Sequence, residues 1–202
     1  MKQEIRYKGE FGYLKYKKRQ TRNRALLFLA LTLLIFFLGL ALFHTNQNYL
    51  SIVAALFCIP TGVSFVNMIM FQKATECNDE TFGMIETVKG GSLILYDLSM
   101  TAYETTYPVL CAIVLENKIL CLLSGDRTKC ASCETHIREI LTGNGHEGCI
   151  VNVLDDVGSF CEQLAGMEEE RVKKGLDPVR TEDEWTPGTA QTIAGILKSI
   201  SL

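Results

Sequence analysis

Four residues have the spacing of a metal centre: Cys130-x-x-Cys133, then twelve residues, then His146-x-x-Cys149. Four soft ligands in two close pairs suit a tetrahedral zinc site. The same residues also fit a plain core. Cys130, Cys133, Ile137, Ile140 and Leu141 recur at intervals that fall on one face of a helix, and Cys149 opens an apolar strand. Both readings stand on sequence alone, a zinc-stabilised module or buried thiols. A redox role for Cys130 and Cys133 is disfavoured, because no thioredoxin-like strand with its Trp or Pro is visible before them. Cys111 and Cys121 lie in apolar strands, where a free thiol behaves as a small hydrophobe.

A second constellation is Asp97, followed after nineteen residues by Glu116-Asn117-Lys118. It resembles the Asp…Glu-x-Lys signature of the restriction-endonuclease-like nucleases, and the resemblance covers about 90 residues. It implies that Asp97 and Glu116 hold a divalent metal while Lys118 positions or activates a water. The order helix, three strands, helix, strand is also similar to that family's core. Against this stands a simpler role for Glu116-Asn117, the turn of a hairpin. No Gly-rich phosphate loop, no Gly-x-Ser-x-Gly elbow and no cofactor motif is present.

The elements that must position these residues follow from the charge pattern. The 202 residues carry a net charge of −3, but unevenly. Residues 1–24 hold nine Lys or Arg and two Glu, residues 25–72 hold no charged residue, and residues 73–202 hold 11 basic and 21 acidic ones. An acidic balance of −10 repels a phosphate backbone, so a nucleic-acid partner is disfavoured.

Residues 25–43 and 50–71 are each long enough, at 1.5 Å per residue, to cross a hydrocarbon core of about 30 Å as a helix. The polar link His44-Thr45-Asn46-Gln47-Asn48-Tyr49 is short, so the two predicted spans form an antiparallel hairpin. Basic residues stay on the cytoplasmic side, which places both termini there, in the plasma or inner membrane. That compartment keeps thiols reduced. The basic tail of residues 1–24 has three readings: a topology signal with interfacial tyrosines, a contact for anionic lipid headgroups, or a segment that docks on the chain's own acidic domain. Pro60 with Gly62 predicts a bend in the second span, and Asn67 a hydrogen bond to a neighbour.

Residues 72–202 read as a small cytoplasmic α+β domain with a mostly antiparallel sheet and packed helices. Its elements are a linker helix over 72–88 that continues the second span, strands over 92–100, 107–115 and 118–123, and a helix capped by Thr128 and ended by Gly143-Asn144-Gly145. A strand over 149–154 follows, then a helix capped by Asp155-Asp156 and reaching Lys174, an acidic loop over 177–185 and a last helix from Thr186-Pro187. The expectation is a two-pass anchor that carries a binding module, for a protein partner or for self-association, rather than an enzyme.

Overall fold

The computed structural model describes residues 6–45, 48–102, 105–125, 127–176 and 190–202, and falls into two compact units. One is Leu14–Ala74; the other joins Met1–Tyr13 to Thr75–Leu202.

The first unit holds helices α1 (Tyr13–Phe43) and α2 (Tyr49–Lys73). Both are long and apolar enough to cross a membrane. Their apolar side chains face outward: Leu27, Leu34, Leu56 and Ile59 are all about 60% exposed or more. The backbone bonds of each helix run within it, as a lipid solvent demands, except at Pro60, which has no N–H to give. The polar exceptions turn inward. Thr32 and Thr61 lie buried with their hydroxyls 3.0 Å apart, each bonded also to a carbonyl one turn back, Phe28 O at 2.8 Å and Phe57 O at 2.7 Å. Asn48 starts α2 by accepting from Ser51 N–H at 2.8 Å. Pro60 sits inside α2, and Ser64 donates to its carbonyl.

The second unit departs from the expected linker helix. Ala74 is extended and α2 stops, because Asn78 opens a new helix, α3 (Asp79–Val88), by accepting from Thr81 N–H at 2.7 Å. A capping side chain at this point outweighs continuation of the span. Four strands follow in the order β1 (Ile94–Thr101), β2 (Thr106–Leu115), β3 (Lys118–Leu123) and β4 (Ile150–Leu154). The pairings β1–β2 and β2–β3 are antiparallel, whereas β3–β4 is parallel, so the sheet is mixed. Helix α4 (Cys130–Gly143) makes the crossover from β3 to β4, since parallel neighbours cannot be joined by a tight turn. It is preceded by a 3-10 turn, Arg127–Lys129, so Thr128 lies within that turn and Lys129 takes the cap position. Helix α5 (Val157–Lys173) starts at Asp156, which accepts from Ser159 N–H at 2.7 Å, and α6 (Ala190–Ser199) closes the domain. The predicted acidic loop over 177–185 and the Thr186-Pro187 helix start lie outside the described residues.

Among the described residues, six α-helices and this mixed sheet make an α+β fold. Helices α4 and α6 cover one sheet face through Ile137, Leu141, Ile193 and Leu197; α3 and α5 cover the other through Ile85, Phe160 and Leu164. Strand β1 changes sides midway. Ile94 and Tyr96 pack on the α3/α5 face, whereas Leu98 and Met100 pack on the α4/α6 face. The cause is Asp97, whose φ of 57° breaks the two-residue alternation. Opposite it, the β2–β3 register shifts between Val109 and Cys111, so both strands slip together.

Candidate functional site

The residues that gather most conspicuously are those that hold the domain to the chain segments leading to and from the apolar hairpin. Residues 6–13 form a compact turn in which Tyr7 N–H donates to Glu10 at 2.8 Å and Tyr13 N–H to Glu10 O at 3.1 Å. Gly9 O accepts from Tyr96 N–H at 2.8 Å, on the outer edge of β1. Gly9 has φ 94°, and a Cβ there would come within 2.8 Å of Lys198 and 3.3 Å of Leu95. Only glycine meets both demands. Phe11 stacks on Phe82 of α3, centroids 3.9 Å apart, and meets Tyr96 edge-on at 6.0 Å. Lys8 donates to Ser201 O at 2.5 Å, and Arg6 to Phe11 O.

The other lead is held one residue further along β1. Asp97, wholly buried, accepts from Cys77 N–H at 2.8 Å. Burial, with Asp97 and Asp79 beyond it, pushes the Cys77 thiol up to about 12. Tyr96 donates its hydroxyl to Glu86 at 2.9 Å, and burial followed by that carboxylate raises its phenol well above the ordinary range. Tyr96 and Asp97 therefore clamp both leads from adjacent positions of one strand.

A carboxylate from α5 pins the link between α3 and β1. Glu168 accepts from Gly91 N–H (2.9 Å), Ser92 Oγ (2.6 Å) and Arg171 (2.7 and 2.9 Å). Arg171 first, then Ser92 and Gly91, hold Glu168 down at about 2. A Cβ at Gly90, where φ is 55°, would sit 2.2 Å from the Glu168 carboxylate.

The nuclease-like residues do not meet. Glu116 sits in the β2–β3 turn with φ 52° and pairs with Lys174 at 2.5 Å, while Lys118 pairs with Glu170 at 2.5 Å. Glu116 lies five residues past Cys111, the partner of Tyr96, or about 17 Å from the level of Tyr96, and Asp97 lies one residue further still. The zinc-spaced residues also stay apart. Cys133 and Cys149 are buried in the α4/α6 layer, Cys130 packs at its margin, and His146 follows α4, its N–H bonded to Leu141 O at 2.9 Å. Among the described residues, no three His, Cys, Asp or Glu are grouped as a metal ion requires.

The sequence suggests a metal for Asp97, where the structure puts the Cys77 amide, and it offers a tail that docks on the domain, as residues 6–13 do, without singling out Tyr96 or Gly9. A signal existed: a tail that serves only as a topology marker has no use for Gly9, Phe11 and Gly12 in four residues. No protein-family model, curated protein or solved structure matches the chain.

Proposed function

We propose that this protein is a two-pass membrane anchor holding an α+β binding module at the cytoplasmic face of the plasma or inner membrane, with both termini cytoplasmic. One observation carries the reading. Residues 6–13 and 75–202 fold as one unit, although the apolar hairpin lies between them in sequence. A hairpin whose two leads end on one domain must enter and leave the bilayer on the same side, which two crossings satisfy. Nine basic residues in the first 24, against none in residues 25–72, select the cytoplasmic side.

Lys15, Lys17, Lys18, Arg19, Arg22 and Arg24 all lie on α1 ahead of its apolar part, a helical collar about 15 Å long at the level of lipid headgroups. Anionic lipids are its natural partners, through an attraction that fades with salt. Binding rather than catalysis is favoured because Asp97 is engaged by a backbone amide, and Glu116 and Lys118 by surface ion pairs.

Protease added to intact spheroplasts tests the topology. Residues 75–202 should survive until the membrane is opened, and the chain should stay with the membrane after an alkaline carbonate wash. Cleavage from outside, or release by carbonate, overturns the reading. Affinity capture from detergent-solubilised membranes tests the module: a partner held by the native chain should be lost when residues 75–202 are deleted, and an unchanged set of proteins removes the binding role.

A further inference from the structure

Strand β3 leads through residues 124–129 into α4, and α4 returns the chain to β4, parallel to β3. This strand–helix–strand crossover puts Cys130 at the first position of α4, beyond the carboxyl end of β3. That end of parallel strands is where α/β proteins build their sites. Cys133 lies one turn deeper. It is wholly buried in the same cluster as Ile137, whereas Cys130 is only partly buried at the margin of that layer. Arg127 and Lys129 precede the pair, and the first turn of α4 contains no acidic residue. A helix start presents its unpaired backbone amides and the positive end of its dipole to the sulfur at its first position. Residues three apart on a helix lie about 5–6 Å apart at Cβ, and a disulfide needs about 3.5–4.5 Å, so closing the bond requires the first turn of α4 to tighten.

We propose that Cys130 and Cys133 form a redox-active dithiol, which closes to a disulfide by exchange with a small-molecule disulfide of the glutathione class. Cys130, as thiolate, attacks one sulfur of the oxidant; the S–S bond breaks and one thiolate leaves. Cys133 loses its proton and attacks Cys130 Sγ, expelling the second thiol. One protein dithiol and one disulfide thus become one protein disulfide and two thiols, with electrons and protons in balance. Burial holds the Cys133 thiol at about 12, with Cys130 and Glu134 adding to it. It is therefore the resolving sulfur, and Cys130 the attacking one. The proposal stands independently of the membrane reading.

The test uses the full chain in detergent micelles, equilibrated with reduced or oxidised glutathione, alkylated and resolved by peptide mass. A linked Cys130–Cys133 peptide should gain about tenfold or more under oxidised glutathione and vanish under dithiothreitol. Cys133→Ser should trap a glutathione adduct on Cys130; should that variant fail to fold, Cys133→Ala is its substitute. Cys130→Ser, at the partly buried margin, should keep the fold and lose both products. Unlinked thiols throughout, a Cys121–Cys133 link in place of the expected one, or no adduct on Cys130 in the Cys133 variants would each overturn the proposal.

Discussion

The helical hairpin and the α+β domain treat the same residue types in opposite ways. In α1 and α2 leucine, isoleucine and phenylalanine point outward and the few hydroxyls point in, with Thr32 bonded to Thr61. In the domain Phe160, Ile137 and Leu141 are wholly enclosed, and the charges lie outside or, like Glu168, are surrounded by donors. The contrast teaches that hydrophobicity alone assigns neither region. What separates them is where the backbone bonds are made, within each helix of the hairpin and between strands in the domain.

Four substitutions probe that contrast. The largest effect belongs to Phe160→Ala, which empties the centre of the α3/α5 layer. It should cost the domain about 3–5 kcal/mol, read by denaturant unfolding, while circular dichroism in detergent retains the helices of the hairpin. Loss of the hairpin signal together with the domain would show that the two regions are not independent.

Asp97→Ala comes next. It strands the Cys77 N–H and places an alanine at φ 57°, for a loss of about 2–3 kcal/mol. Native-state labelling of Cys77 should speed up about tenfold or more. Asp97→Asn keeps an acceptor and tolerates the left-handed backbone, so it should stay close to wild type.

Glu168→Gln should cost about 2 kcal/mol at neutral pH, less than full linkage predicts because the carboxylate is 16% exposed. The sign is set by a folded value of about 2 against an ordinary 4.5. The contribution is complete above pH 4.5 and is lost as pH falls toward 2, so stability curves of variant and wild type should converge in acid. Curves that run parallel down to pH 2 would contradict the assigned role of Arg171.

Thr61→Val is the smallest. Interhelical hydroxyl bonds in a bilayer contribute about 0.6 kcal/mol, so unfolding in mixed micelles should shift by no more than that. A loss as large as that for Glu168 would mean the hairpin depends on its polar contacts as the domain does.

Much of this architecture is legible in the residues. The charge-free run from 25 to 72 announces two long helices, Glu116-Asn117 announces a hairpin, and Asp156 announces the start of α5. Three features escape such reading for physical reasons. The break before α3 rests on one side chain, Asn78, inside a stretch of otherwise helical character. The side-switch in β1 comes from a backbone angle at Asp97, which no hydropathy alternation records. The parallel pairing of β4 with β3 is long-range, so the strand over 118–123 is legible locally but its parallel neighbour is not. The site is less legible than the fold, because Tyr96 and Asp97 acquire their partners only when residues 9 and 77 fold onto the same edge.

The outer edge of β1 is finished by segments from far apart in the chain. Gly9 bonds to Tyr96, while Ile200, Ser201 and Leu202 bond along Ser99 to Thr101. During synthesis the earliest of these residues leaves the ribosome long before the strand it must cover, and the latest emerges after the rest of the sheet. That edge is therefore the last to be sealed, and a nascent or truncated chain lacking residues 198–202 carries an open row of amides able to recruit a neighbour. Aggregation of shortened chains, more than loss of helix content, is the behaviour to expect from damage at either extremity.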